Sequence, residues 1–140
     1  MDLAKHFASW SKDPRKQVGA VAIGTGGQIL AQGYNGLPRG MWDDPELMTQ
    51  ENKLMYTVHA EMNCIYNASL SGVSLKGSTL YVSGFPPCSS CAQGIIQSGI
   101  GIVYCDNDDY EEMKNTARWT EHLVATEKMF SGCGVLLRKV

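Results

Sequence analysis

A three-layer α/β/α fold around a five-stranded mixed sheet is what this chain of 140 residues predicts. Three observations carry that expectation. Two strand-like runs near the start are joined by a glycine turn, strands and helices then alternate to the end, and the longest helical stretch has one apolar face.

The elements follow in order. "VGAVAIG" (18–24) and "QILAQGYN" (28–35) flank "TGG" and read as an antiparallel hairpin. "GLPRGMWDDPELMTQENK" mixes glycine, proline and charge, and reads mostly as loop. Residues 59–70 read as a helix, "STLYVSG" (78–84) as a strand, 88–98 as a second helix and "IGIVYC" (100–105) as a strand. Trp119, Leu123, Thr126 and Phe130 then recur at spacings of four, three and four, the period of an amphipathic helix. "GVLLRKV" closes as a fifth strand. Strands separated by helices need crossovers, so the last three pair in parallel with helices covering both faces, and right-handed crossovers leave few arrangements. No repeat, linker or low-complexity segment interrupts the pattern, so residues 1–140 read as one domain.

Composition narrows the class of function. A hydrophobic share of 44% and a charged share of 19% are those of an ordinary globular protein. A formal net charge of −2 argues against a broad nucleic-acid surface, which shows as a basic excess. No apolar run approaches the roughly 20 residues of a membrane span. "MDLAKHFASW" lacks the apolar core of a signal peptide. Five cysteines, an odd number, fit poorly with a secreted disulfide framework. The expectation is an intracellular, cytoplasmic protein with no membrane or nucleic-acid partner.

The chemistry lies in two short motifs. "VHAEMNCI" (58–65) sets His59 and Glu61 two positions apart where a helix begins, and such residues do not share a helix face. "FPPCSSCAQGII" places Cys88 and Cys91 three apart at the opening of another helix, with Pro87 just ahead. Positions i and i+3 share a face, so both sulfurs can hold one ion. His59, Cys88 and Cys91 make three nitrogen and sulfur ligands without a convincing fourth, the arrangement of a catalytic rather than a structural zinc. If His59 stands at the very start of its helix it projects toward the metal, leaving Glu61 to swing beside a bound water. Zinc brings the pKa of such a water to roughly 7. A neighbouring carboxylate takes that proton and hands it to a leaving nitrogen. A lone C-x-x-C is more often redox or structural, and a lone H-x-E means little. Together and in order they match the H-x-E…P-C-x-x-C signature of zinc nucleobase deaminases. Cys64, Cys105 and Cys133 read as small buried apolar residues. His6 and His122 have no partner in view.

Beyond these motifs the chain resembles the deoxycytidylate (dCMP) deaminase family, within the cytidine-deaminase-like fold. "SKDPRKQVGAVAI", "GYNGLPRG", "TQENK", "HAEMNCI", "GSTLYVSGFPPCSSCAQGIIQSGI" and "GCGV" align with its pattern in order, over most of the length. The resemblance implies zinc-dependent hydrolysis of dCMP to dUMP and ammonia, supplying thymidylate synthesis. It implies one zinc per chain on His59, Cys88 and Cys91, with Glu61 as proton shuttle. The backbone amides of Ala60 and Cys88 would bind the base and the water, Asn35 would hydrogen-bond the sugar, and Val21 and Ala22 would stack on the pyrimidine. It further implies a hexamer activated by dCTP and inhibited by dTTP, with Gly33, Gly36 and Arg39 near the regulatory nucleotide. Many relatives carry a "KYHD"-like segment after the fourth strand; here stands the more acidic "DNDDYEEMKNTARWTEH", with Trp119. The extra cysteines and histidines of a second, structural zinc are absent from the sequence.

The substrate phosphate needs local donors despite the acidic total. Lys12, Arg15, Lys16, Arg39, Lys53 and Arg118 are the candidates, and the planar fork of arginine favours Arg15 and Arg39. Two other readings stand beside dCMP. One is a deaminase of modified dCMP, cytidine, guanine or a base within RNA, the last disfavoured by the lack of a basic patch. The other is a zinc module without catalysis, against which Glu61 counts, because a structural site needs no proton shuttle.

Overall fold

The computed structural model describes residues 1–49 and 51–140; Gln50, within the "TQENK" motif, lies outside the described residues. Helix α1 (Asp2–Ala8) precedes strands β1 (Gly19–Ile23) and β2 (Ile29–Tyr34). A 3-10 turn (Pro45–Met48) and a single turn of helix, α2 (Lys53–Tyr56), interrupt the segment expected to be mostly loop. Then come α3 (Ala60–Leu70), β3 (Thr79–Ser83), α4 (Ser89–Gln97), β4 (Ile102–Cys105), α5 (Asn107–Lys114), α6 (Ala117–Cys133) and β5 (Leu136–Lys139).

The sheet runs β2-β1-β3-β4-β5. Strand β1 is antiparallel to both neighbours, and β3, β4 and β5 are mutually parallel. The expected mixed sheet, hairpin and parallel half are therefore all present.

Period-2 alternation sorts the two faces. Ala20 pairs with Gly33 and Val82, and Ala22 with Ala31 and Leu80. All of these but Gly33 join Ala60, Cys64 and Ala68 of α3, Ala92 and Ile95 of α4 and Phe130 of α6 in the main core. The opposite face carries Val21, paired with Tyr81, which in turn pairs and stacks with Tyr104. Helix α1 covers that face at its β1 end, where a Cβ on Gly19 would lie 2.1 Å from the Ala4 carbonyl oxygen. Leu123, Thr126 and Phe130 of α6 are buried, as their spacing predicts.

Helix α3 is pressed tightly against the edge strand β2. Asn63 Nδ2 donates to the Tyr34 carbonyl and Asn67 Nδ2 to that of Gln32, both at 2.7 Å. Gly33 makes that approach possible: a Cβ there would stand 2.4 Å from Cys64 N and 2.5 Å from Ala60 O. The close approach of α3 alone accounts for a glycine at this position. Gly33→Ala must push α3 away from the sheet, and overpacking of this kind costs about 1–3 kcal/mol. Urea denaturation should show that loss; an alanine variant as stable as the parent would mean the contact is not tight.

Candidate active site and metal centre

Helices α3 and α4 both begin at the expected motifs, and both open on unusual caps. His59 occupies the N-cap of α3 (φ −69°, ψ 153°) and Cys88 that of α4 (φ −75°, ψ 171°). Neither side chain makes a capping hydrogen bond. N-caps favour Ser, Thr, Asp and Asn, so two helix ends here forgo local stability and leave both side chains free. Cys91 lies one turn into α4.

These three side chains converge. His59 Nδ1 is 3.5 Å from Cys88 Sγ and 3.3 Å from Cys91 Sγ. All three ligand atoms lie within 4.8 Å of one another, and among the described residues no other group of three such side chains does so. Tetrahedral zinc, with Zn–S of about 2.3 Å and Zn–N of about 2.0 Å, demands N to S separations of about 3.5 Å. The donor set fits a zinc ion in type and spacing.

The electrostatics agree. The Cys91 thiol donating to Cys88 and the adjacent His59 hold the Cys88 thiol down to about 3, against its burial. The same Cys88 sulfur, aided by Glu61, lifts the His59 imidazole to about 9. Cys88 and then burial push Cys91 far up. Three coupled proton sites crowded together in this way are ones that a divalent cation binds by displacing the protons.

Glu61 is 2% exposed and lines the same cavity as His59 and Cys88. Burial pushes its carboxyl up to about 7, against the pull of His59 and with the Cys88 sulfur adding to the rise. A carboxyl poised near neutrality can both accept and return a proton. The cavity, of about 400 Å³, is also walled by Asp13, Arg15, Lys16, Val18, Asn35, Lys53, Thr57, Ala60, Phe85, Arg118 and Trp119. Thr57 Oγ1 is buried without a hydrogen-bond partner among the described residues, a polar atom open to a ligand.

Several expected binding residues fall elsewhere. Val21 and Ala22 are 2% and 0% exposed, and they cannot stack on one ring, because adjacent strand residues point to opposite faces. Val18, just before β1, lines the cavity in their place. Arg39 lies outside this cavity and donates to Asn67 Oδ1 on α3. Gly36 forms an isolated bridge with Val58, tying the end of the hairpin to the residue before His59. Asn35 does line the cavity, but its carboxamide is engaged by the chain: Oδ1 accepts from Val18 N at 2.7 Å, and Nδ2 donates to Lys16 O at 3.0 Å and Asp13 Oδ2 at 3.4 Å. Asn35 thus holds loop 13–18, whose Arg15 and Lys16 face the site.

Asp13 went unnoticed in the sequence, although "SKDP" could have pointed to it. Burial raises its carboxyl, but bonds from Arg15 N, Lys53 Nζ and Lys16 N outweigh that and leave it below the usual carboxylate range. The helix carrying the ends of the site is anchored too. Thr126 Oγ1 of α6 donates to Pro87 O at 3.2 Å, and Ser89 Oγ lies 2.7 Å from His122 Nδ1.

Comparisons with known proteins agree with this geometry. The family model described as the cytidine and deoxycytidylate deaminase zinc-binding region matches residues 1–106. A human protein named deoxycytidylate deaminase is 40% identical over 145 residues, covering 99% of this chain and 76% of its own. An uncharacterized deaminase of Aliivibrio fischeri is 40% identical over 133 residues, covering 95% of this chain and 85% of its own. Among solved structures, the dCMP deaminase of cyanophage S-TIM5 in complex with dCMP and dUMP superposes with a TM-score of 0.75 at 28% identity, over 99% of this chain and 92% of that one.

Proposed function

Because the chain belongs to the cytidine and deoxycytidylate deaminase family, we propose that it hydrolyses dCMP to dUMP and ammonia. One observation carries the reading: a three-ligand nitrogen and sulfur cluster at two facing helix starts, with the buried carboxyl of Glu61 in the same cavity. Bound by His59, Cys88 and Cys91, zinc supplies the Lewis acidity that makes a water acidic at neutral pH.

The chain's own residues do the rest. Glu61 takes a proton from the water and delivers it to N3 of the cytosine as the oxygen adds at C4. It then carries the second proton to the exocyclic amine, which leaves as ammonia. Burial of Glu61 keeps both transfers off bulk solvent. The amide of Ala60, in the first turn of α3, has no partner within its helix and is available to the ring carbonyl. Phe85 and Trp119, edge to face at 5.3 Å, give the cavity an apolar wall. Since the ring becomes tetrahedral at C4, a dCMP analogue bearing a hydroxyl on a saturated C4 should inhibit at least a hundredfold more tightly than substrate binds. Equal affinities would remove the mechanism.

The reading extends to the whole chain as one catalytic domain acting in the cytoplasm to supply dTMP synthesis; α6 and β5 support it by adding Phe130 and Leu137 to the core of the zinc-binding region. It extends also to a hexamer raised in activity by dCTP and lowered by dTTP. Exposed Met41, Trp42, Met55, Tyr66 and Leu70 support assembly, Trp42 at 87% exposure. Gly33, Gly36 and Arg39 are the candidates for the effector site, and Arg39 bonds Asn67 on α3, the helix that carries Tyr66 and Leu70. dCTP should lower the half-saturation for dCMP and reduce sigmoidality, and dTTP should do the opposite. Hyperbolic kinetics indifferent to both nucleotides would end the regulatory reading, and a monomer in light scattering would end the hexamer.

A further inference from the structure

We propose that Arg118, at the start of α6, recognises the 5′-phosphate of the substrate and sets the preference for nucleotide over nucleoside. The inference rests on the dCMP reading and adds to it a residue that follows the stretch matched by the family model.

Four basic side chains line the cavity that holds Glu61: Arg15, Lys16, Lys53 and Arg118. Two are already neutralised. Lys16 Nζ is 2.6 Å from Glu112 Oε2 and 3.5 Å from Asp109 Oδ1, and Lys53 Nζ is 2.9 Å from the buried Asp13 Oδ2. Arg15 and Arg118 form no ion pair among the described residues. A dianion entering this acidic protein gains most from cations that need not first leave a carboxylate.

Of the two, Arg118 is the better placed. Arg15 also borders a neighbouring hollow beside Asp13 and Asp109. Arg118 lines both cavities that adjoin His59 and Cys88. Its Cζ lies 5.3 Å from the centroid of the Trp119 ring. A guanidinium held beside an aromatic ring in this way, and in no ion pair among the described residues, has N–H donors to offer phosphate in a bidentate pair. Trp119 in turn packs edge-on against Phe85, three residues before Cys88. The guanidinium is thereby linked through two aromatic rings to the segment that leads into Cys88.

Steady-state kinetics on dCMP and deoxycytidine, for the parent, Arg118→Met and Arg118→Lys, with melting temperatures taken alongside, test the assignment. The methionine variant should raise KM for dCMP at least tenfold, with kcat changed far less, and cut the preference for dCMP over deoxycytidine by the same factor. Lysine should recover part of the loss, since it keeps the charge without the fork. Should the methionine variant melt early, Arg118→Gln carries the same test. An unchanged KM for dCMP, or equal losses on both substrates, overturns the assignment of Arg118. A parent that turns over deoxycytidine as readily as dCMP overturns the nucleotide reading itself, and this inference with it.

Discussion

Glu61→Gln should bind zinc as the parent does and yet lose about four powers of ten in the rate of dCMP turnover, the upper end of what a positioned acid-base group contributes. The substitution is nearly isosteric, so the buried first turn of α3 keeps its shape. What it removes is the ability to accept a proton and return it. Glutamine also takes away a carboxyl whose burial pushes it up to about 7. Retaining a charge at 2% exposure costs stability, so the variant should melt at the same temperature as the parent or higher. A gain in stability joined to a loss of activity is the signature of a side chain kept for chemistry. Near-normal turnover by a zinc-loaded Glu61→Gln protein would contradict the mechanism, whatever its stability.

Cys88→Ser should remove metal and activity together while leaving the helix in place. Serine is among the best N-cap residues, and Cys88 occupies an N-cap with no capping bond of its own. The replacement therefore favours α4 locally even as it exchanges a soft thiolate for a hydroxyl that zinc binds poorly. Elemental analysis should fall from one zinc per chain to near none, and deamination should fall to background. Far-ultraviolet circular dichroism should hold its helical signal. Chelation of the parent should give the same loss, reversed by added zinc. Full zinc content in Cys88→Ser, or an active parent without metal, would contradict the assignment of ligands.

The two motifs and the order of strands were legible because each rests on local spacing. A hairpin turn, a 3.6-residue period and two cysteines three apart act within one element, and His59 and Cys88 declare themselves at helix starts. Contacts between distant segments were not legible in this way. Val21 and Ala22 are neighbours in β1, but only the folded sheet reveals that one faces α1 and the other α3. Gly33 reads in the sequence as backbone open to close approach, and only the packed structure reveals the helix backbone that it touches. Arg39 and Arg118 are equal as letters. Which of them lines the cavity, and which lysines already have carboxylates, depends on pairs such as Lys16 with Glu112, 96 positions apart. Helix α5 escaped notice because its mostly charged sequence buries only Tyr110 and Met113, while Asp106 caps it by accepting from Asp108 N.

The central claim is that this site deaminates a cytosine nucleotide, and loss of the cytosine chromophore tests it most directly. Zinc-loaded protein should be offered dCMP, deoxycytidine, cytidine and guanine at equal concentration, with ammonia measured in parallel. The account predicts that dCMP reacts fastest and yields dUMP with one ammonia for each molecule consumed. No change with dCMP, or faster turnover of a nucleoside or of guanine, would contradict it.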